Sequence, residues 1–167
     1  MQKNIVLIGF MGSGKSKVAA ELAKRLGREL VATDSFIESW ACKKIEAIFK
    51  DHGEAYFRDL ETKIIEKVSS LQNVIIDCGG GVVLRPENLQ HLKTNGIVFY
   101  LQASPEVTYN RIKHETHRPL LKGPDPLGCI QELYNQRLPL YNQADFVIDA
   151  NGASIEVPVI EILKHIK

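Results

Sequence analysis

Short apolar runs alternate with longer amphipathic stretches along the chain. Most of these runs are continuous rather than alternating, which is typical of strands that are covered on both faces of a sheet. They lie at residues 5–8, 29–32, 74–76, 97–101 and 146–148. The pattern predicts a central parallel sheet of five strands.

Helical periodicity fills the intervals between the predicted strands. The predicted helices cover residues 15–26, a segment around 45–49, 56–68, 86–92, 105–113, 130–138 and 155–166. Ser104 with Pro105 is a strong helix start, and Ser154 is a candidate N-cap for the last helix. Strands and helices in alternation indicate an α/β fold with three α/β/α layers.

Residues 114–125 interrupt the alternation of predicted strands and helices. The segment is polar, contains Pro119, Gly123 and Pro124, and has neither period, so we predict an exposed loop. Within it Arg118 precedes Pro119 and two leucines, a combination that suits a mobile lid. The cation would reach transferring phosphates, and the apolar residues would exclude water on closure. A plain surface turn is the alternative interpretation.

Composition narrows the class of protein. Hydrophobic residues make up 44% and charged residues 25% of the 167 residues, so we expect one globular domain over residues 1–167. The net charge of +1 gives no global field for nucleic acid or an anionic membrane. No apolar run could span a bilayer and no signal-peptide core precedes the first strand, so we expect a cytoplasmic location. An odd number of cysteines without metal-site spacing predicts reduced thiols at Cys42, Cys78 and Cys129.

The strongest motif lies at residues 9–16. Its sequence, Gly-Phe-Met-Gly-Ser-Gly-Lys-Ser, satisfies the phosphate-binding pattern G-x-x-x-x-G-K-[ST] between a predicted strand and a predicted helix. The glycines let main-chain N–H groups point at phosphate oxygens, aided by the positive end of the helix. Lys15 would reach the β- and γ-phosphates, and the Ser16 hydroxyl would bind Mg²⁺. The motif predicts nucleotide binding but leaves kinase, GTPase and ATPase open.

A second glycine cluster, Gly79, Gly80 and Gly81, follows the third predicted strand, where open α/β sheets bind ligands. We interpret it as a point of close backbone approach whose N–H groups meet an oxyanion, with a flexible turn as the alternative. Asp77 ends the preceding apolar run in the form of a Walker-B carboxylate that holds Mg²⁺. A role as a strand-end cap competes equally.

Two arginines are candidates for a binding cleft. Arg58 could direct a bidentate guanidinium into it. However, Glu54 and Glu61 lie four residues before and three residues after Arg58, so a solvated ion pair on the helix face is an equal competitor. Arg137, taken alone, is typical of a surface arginine. Local spacing does not decide between these interpretations.

Six ordered blocks resemble the shikimate kinase family, P-loop enzymes similar to nucleoside monophosphate kinases, over essentially the full chain. The blocks are residues 9–16, 33–38, Phe57-Arg58 with Glu61, 79–81, 118–121, and Arg137 followed by Tyr141. The resemblance implies a P-loop kinase that transfers the γ-phosphoryl group of ATP, with Mg²⁺, to shikimate and forms shikimate 3-phosphate. We expect a monomer whose partners are these small molecules, without nucleic acid or membrane.

The resemblance also implies roles for individual residues. Catalysis would depend on Lys15, Asp34 and Arg118, with Asp34 orienting the attacking hydroxyl and accepting its proton. Nucleotide binding would involve Gly12, Ser13, Gly14, Lys15, Ser16, Lys17, Arg111, Arg118, Asn151 and Ile155. Acceptor binding would involve Asp34, Arg58, Gly79, Gly80, Gly81 and Arg137. Ser16 would hold the metal ion.

One position departs from the family pattern. The family usually carries Asp-x-Asp where this chain has Ala32-Thr33-Asp34, so a carboxylate that helps to hold Mg²⁺ through water is absent. We hypothesise that Asp77, on the strand expected beside the P-loop strand, supplies the missing charge as a metal-site residue. Two other functions stay open. They are a P-loop kinase for another hydroxy acid such as gluconate, and a nucleotide-binding module that has lost catalysis.

Overall fold

The computed structural model describes residues 2–166, and within them five parallel strands form one sheet. The strands are β1 (Asn4–Ile8), β2 (Leu30–Ala32), β3 (Ile75–Asp77), β4 (Gly96–Gln102) and β5 (Phe146–Asp149). Their order is β2-β3-β1-β4-β5. The predicted five-stranded parallel sheet is confirmed, and every residue of the central strand β1 is buried, as its continuous apolar run requires.

Seven α-helices of the described chain surround the sheet. They are α1 (Lys15–Leu26), α2 (Thr33–Ala41), α3 (Ile45–Ser69), α4 (Pro86–Asn95), α5 (Pro105–Ile112), α6 (Pro126–Tyr141) and α7 (Glu156–His165). The Ser104 hydroxyl caps α5, because it accepts a hydrogen bond from the Val107 amide at 3.3 Å. The Ser154 hydroxyl accepts one from the Glu156 amide at 3.2 Å, where α7 begins.

Three helix predictions need correction. The sequence pattern does not predict α2, which follows β2 directly and buries only Thr33 and Ile37. The segments 45–49 and 56–68 belong to one helix, α3, which is kinked at Gly53 with φ of 82°. α6 begins four residues before the predicted start, since the Asp125 side chain caps it by accepting from the Gly128 amide at 3.0 Å.

The predicted lid is also more ordered than expected. Residues 119–121 form a 3₁₀ turn within the otherwise irregular segment 114–125. A second 3₁₀ turn, Val82–Leu84, follows the glycine run. The three cysteines are free thiols, as predicted, with Cys78 buried and the other two exposed. Between residues 2 and 166 no helix has the length and apolar character that crossing a membrane requires.

The sheet separates two hydrophobic cores and brings three chain segments to one edge. One core packs α3, α4 and α6 against one face, and the other packs α1 and α7 against the opposite face. In the pairing of the strands, Asp77 lies beside Leu7 on one side and beside Ala32 on the other. The carboxyl ends of β1, β2 and β3 therefore meet, which is where parallel sheets place their ligands.

Candidate active site

A cleft of about 780 Å³ opens at these strand ends. Its walls come from the loop after β1, the start of α2, the glycine run, the end of α5 with the lid segment, and the loop before α7. Most predicted site residues line it: Gly12, Ser13, Gly14, Lys15, Ser16, Lys17, Asp34, Asp77, Gly79, Gly80, Arg111, Arg118 and Ile155. The cleft thus joins segments that are far apart in the sequence.

The phosphate-binding loop joins β1 to α1 and needs glycine at two positions. Gly12 and Gly14 have φ of 71° and 91°, in the left-handed region that side chains with a Cβ rarely adopt. The ammonium group of Lys15 folds back over the loop and donates to the carbonyl oxygens of Gly9 at 2.9 Å and Phe10 at 3.4 Å. The loop therefore presents a cation above its own backbone.

The electrostatics of this end of the cleft favour an anion. The first turn of α1 contains no acidic residue, so no side chain there neutralises the positive end of the helix. Removal of water lowers the pKa of Lys15, and the carboxylates of Asp77 and Asp34 offset this only in part. Phosphate oxygens would replace the lost hydration of the ammonium group, so a polyphosphate fits this end.

Ser16 and Asp77 meet at the base of the cleft. The Ser16 hydroxyl donates to Asp77 Oδ2 at 2.6 Å, while the buried Asp77 Oδ1 has no hydrogen-bond partner among the described residues. Burial raises the pKa of Asp77, although the bond from Ser16 opposes this shift. A hydroxyl beside an unsatisfied carboxylate oxygen suits a hard divalent cation with oxygen ligands. Residues 2–166 contain no cluster of three or more His, Cys, Asp or Glu for a metal ion.

The glycine run allows two functional side chains to approach the backbone. A Cβ added to Gly79 would lie 2.6 Å from Asp34 Oδ1, and one added to Gly81 would lie 2.5 Å from Arg58 Nη2. Both distances are shorter than real Cβ contacts, so a side chain at either position would displace Asp34 or Arg58 from its present place. Loss of water raises the pKa of Asp34, an effect that the Lys15 charge partly offsets. The geometry agrees with close backbone approach and disfavours a merely flexible turn.

Arg58 lies on α3, and both interpretations of its role meet in the structure. Its side chain is only 13% exposed, and Nη1 donates to Glu61 Oε2 at 2.8 Å. A longer bond of 3.4 Å joins Nε to Glu54 Oε1. Burial raises the pKa of Glu61, and the bond from Arg58 opposes this shift. The ion pair exists, but it is buried beside the glycine run instead of lying on a solvated helix face.

Arg137 and Tyr141 bring α6 to the same place. Arg137 Nε is buried and has no acceptor within residues 2–166. The Tyr141 hydroxyl donates to the Gly80 carbonyl oxygen at 2.5 Å. Burial raises the pKa of Tyr141 to about 12, against the lowering effect of the nearby Arg137 and Arg58 charges. Both guanidinium charges therefore act on one buried hydroxyl, and Arg58 also contacts the glycine run at Gly81. Arg58, Gly81 and Arg137 lie beside the cleft and are not part of its lining.

Arg111 links the phosphate loop to the loop before α7. Its Nη1 donates to the carbonyl oxygens of Gly12 at 3.1 Å and Ser13 at 3.3 Å. Its Nη2 donates to Ala150 and Gly152, each at 2.7 Å. Because four carbonyl oxygens occupy the edge of this guanidinium, its planar face is the part that is available to a ligand.

The prediction for Asn151 needs refinement. Asn151 Oδ1 accepts from the Ser104 amide at 2.8 Å, and its Nδ2 donates to Asp149 Oδ1 at 2.8 Å. These bonds hold the loop against the start of α5, through Ser104, and against its own first residue, Asp149. The neighbouring segment from Gly152 to Ile155 forms the wall of the cleft instead.

Arg118 and Glu115 face each other at the opposite wall. Arg118 Nε forms a short ion pair with Glu115 Oε2, and both side chains are about one-third exposed and line the cleft. Sequence reasoning missed Glu115, although its spacing of three residues from Arg118 is a usable signal. It also missed the Thr33 hydroxyl, which accepts from the Gly79 amide at 3.2 Å and for which no local signal exists.

The strand order, the phosphate loop and the cleft at the strand ends define a P-loop kinase fold within the α/β class. The family model "Shikimate kinase" matches residues 11–167. A shikimate kinase of Caldicellulosiruptor saccharolyticus is 47% identical over 161 residues, which cover 96% of this chain and 94% of that protein. The chain belongs to the shikimate kinase family.

Solved structures agree with this assignment. The shikimate kinase of Acinetobacter baumannii, determined in complex with shikimate, is 34% identical with a TM-score of 0.92. The match covers 99% of this chain and 93% of that one. A gluconokinase from Sinorhizobium meliloti is 17% identical with a TM-score of 0.61, over 98% of this chain and 91% of that one, and shares the fold alone. The predicted family and fold are confirmed.

Proposed function

We propose that this protein transfers the γ-phosphoryl group of ATP to a hydroxyl of shikimate and forms shikimate 3-phosphate. One observation carries the proposal: two candidate anion sites adjoin the same glycine run, one within the cleft and one beside it. The phosphate loop with Lys15 forms one site, and the inward-facing pair Arg58 and Arg137 beside three glycines forms the other. A kinase for a small carboxylic acid needs both sites.

The phosphate loop would bind the triphosphate of ATP. The amides of Gly12, Gly14, Lys15, Ser16 and Lys17 would surround the anion, as the N-terminus of a helix allows. Ser13 would contribute to the same wall, with its amide already bonded to the Phe10 carbonyl oxygen. The planar face of Arg111 would cover the adenine ring, with Ile155 on the far wall. Asn151 would act indirectly, since it shapes the loop that carries Ile155.

The other anion site would hold the acceptor. Arg58 and Arg137 would bind the carboxylate of shikimate, because two planar guanidinium groups match its oxygens. Asp34 and the main chain of Gly79, Gly80 and Gly81 would bind the ring hydroxyls. In this position the acceptor hydroxyl lies between Asp34 and the phosphate loop, so it can attack the terminal phosphorus.

Phosphoryl transfer needs positioning and charge more than covalent chemistry. Asp34 would orient the attacking hydroxyl and take its proton as the bond to phosphorus forms. Lys15 would stabilise the negative charge on the transferring group and on the leaving ADP. Arg118 would add its positive charge to that of Lys15 when the lid segment closes over the cleft and excludes water. For this, Arg118 would have to leave its ion pair with Glu115.

Ser16 and Asp77 fit a magnesium ion. The unsatisfied Asp77 Oδ1 lies next to the Ser16 hydroxyl, and Ala32 beside it in the sheet leaves room for water. When bound, the ion would neutralise phosphate charge.

Replacing Asp77 with Asn should raise the Mg²⁺ concentration for half-maximal activity about tenfold. A Mn²⁺ titration followed by paramagnetic resonance checks binding directly, and an unchanged metal dependence would refute the role of Asp77.

A coupled assay of ADP release tests the proposed function. ATP, Mg²⁺ and either shikimate or gluconate are supplied in parallel, and the product is identified by mass spectrometry. Shikimate-dependent ADP release with a phosphorylated product is the expected result. Turnover with gluconate alone would assign a different acceptor, and tight ATP binding without any phosphorylated acceptor would identify a non-catalytic module.

A further inference from the structure

Gly80 lies between helix α6 and the phosphate loop. On one side its carbonyl oxygen accepts the hydrogen bond from the Tyr141 hydroxyl at 2.5 Å. On the other side a Cβ at Gly80 would lie 3.6 Å from the Gly9 carbonyl oxygen and 3.7 Å from the Met11 amide. A single residue therefore bonds to α6 through Tyr141 and lies next to the phosphate loop.

Tyr141 lies one helical turn after Arg137 on α6, so the two side chains share a face of the helix. The Tyr141 side chain is completely buried, and its ring stacks on Tyr100 with centroids 4.9 Å apart and planes at 14°. Burial also raises the pKa of Tyr141 to about 12, against the Arg137 charge, so the hydroxyl keeps its proton at neutral pH. The residue is a rigid, permanent hydrogen-bond donor.

The two acceptor-site arginines differ in what holds them. Arg58 is fixed by its ion pairs with Glu61 and Glu54. Arg137 forms no ion pair within residues 2–166, and its buried Nε lacks an acceptor there. The direction of the Arg137 side chain therefore depends on how α6 is placed, and the bond from Tyr141 to Gly80 is the contact that joins this helix to the glycine run.

We propose that the Tyr141 hydroxyl is a positioning group for the acceptor. By tying α6 to Gly80, it sets the distance between the carboxylate-binding Arg137 and the phosphate loop. Tyr141 itself would touch neither substrate, and it would act through Arg137 and Gly80. This inference rests on the proposed function, because it assigns Arg137 to the carboxylate of shikimate.

Replacing Tyr141 with Phe tests the proposal, since the stacked ring is kept and only the interactions of the hydroxyl with Gly80 and Arg137 are lost. The loss of one hydroxyl is small beside the stability of a domain, so the variant should fold. We expect the KM for shikimate to rise about five- to tenfold, the value of one good hydrogen bond, with the KM for ATP changed less than about twofold. Steady-state kinetics with each substrate varied in turn gives both constants.

Tyr134→Phe is the matched control. Tyr134 belongs to the same buried aromatic group, and its hydroxyl lies 3.4 Å from that of Tyr100 and 3.5 Å from Gln102 Nε2. It has no contact with Gly80 among the described bonds. Both variants should lower the melting temperature to a similar extent, but only Tyr141→Phe should raise the KM for shikimate. Equal effects of the two variants on this KM would mean a general packing role and would overturn the proposal.

A double-mutant cycle shows whether Tyr141 acts through Arg137. In an Arg137→Lys background, the effect of Tyr141→Phe on the shikimate KM should shrink below about twofold, because the group that Tyr141 positions is gone. If the fold-increase in the KM for shikimate of the double variant equals the product of the two single increases, Tyr141 does not act through Arg137. That result would overturn the proposal without affecting the proposed function. A wild-type protein without shikimate turnover would instead refute the proposed function and this inference with it.

Discussion

The two proposed anion sites differ in what surrounds their cations. At the nucleotide end, the Lys15 ammonium contacts only main-chain carbonyl oxygens, and the adjacent helix start carries no acidic side chain. At the acceptor end, Arg58 is already paired with the buried Glu61 and with Glu54. The cleft walls keep an excess of positive charge, because Lys15, Lys17, Arg111 and Arg118 outnumber Asp34, Asp77 and Glu115. Arg58, in contrast, is neutralised by its two glutamates before any ligand enters.

This difference matches the ligands that we propose. A triphosphate carries several charges, so excess positive potential and main-chain donors raise its affinity. A small monoanion gains less from charge and can be selected by the fixed geometry of guanidinium groups. The ion pair with Glu61 fixes the orientation of the Arg58 guanidinium. The negative charge of Glu61 also weakens the attraction between Arg58 and an anionic acceptor. We therefore expect charge to dominate binding at the nucleotide end and geometry to dominate it at the acceptor end.

Removing the Lys15 charge should have the largest effect. We expect Lys15→Ala to lower kcat at least about 1,000-fold, because a preorganised cation on the transferring phosphoryl is lost. The dissociation constant for shikimate, measured by calorimetry, should change little. Lys24→Ala, in the last turn of the same helix, is the control and should keep nearly full activity. Retention of a tenth of kcat in Lys15→Ala would contradict charge-based catalysis at this end.

Arg58→Lys should have the next largest effect and a different signature. The charge is kept, but a lysine cannot form two parallel bonds to a carboxylate or keep the geometry with Glu61. The KM for shikimate should rise about 100-fold, and that for ATP should stay within about twofold. Arg85→Lys serves as the control, because Arg85 pairs with Asp59 outside the cleft. A small effect of Arg58→Lys would mean that charge alone binds the acceptor.

Asp77→Asn should stabilise the ligand-free protein. Burial raises the pKa of Asp77 in the folded state, so its contribution to stability is present at low pH and is lost as pH rises through that pKa. Asparagine buries no charge, and we expect a melting temperature about 2–4 °C above wild type at neutral pH without metal. The difference should vanish as the pH approaches the ordinary value of 3.8. A lower melting temperature at neutral pH would refute this sign.

Glu115→Gln should have the smallest effect. Glu115 holds Arg118 through a partly exposed ion pair, and such pairs contribute little to stability. The KM for ATP should fall about two- to threefold, because Arg118 no longer has to break its ion pair with Glu115 before it contacts a phosphate. The neighbouring Glu106→Gln in the first turn of α5 is the control. A higher KM for ATP would show that Glu115 aids binding.

Much of the nucleotide end could be predicted from the sequence. The eight residues 9–16 are contiguous, and glycines at positions 12 and 14 supply the left-handed backbone that the loop requires. Strand β1, which precedes the loop, and its neighbour β4 are continuous apolar runs, so the sequence also predicted that both faces of these strands are buried. The start of α2 escaped prediction, because it follows β2 without a turn residue and buries too few side chains for a periodic signal.

By itself, the sequence determined the fold class, the phosphate loop and the family, since these depend on contiguous residues and on the spacing of apolar positions. Only the tertiary structure decided that Arg58 lies against Gly81, that Ser16 meets Asp77, and that Asn151 binds the start of α5 through Ser104. The physical reason is that burial and choice of partner depend on segments that the sheet and helices bring together in space. Local spacing along the chain carries no information about those distances.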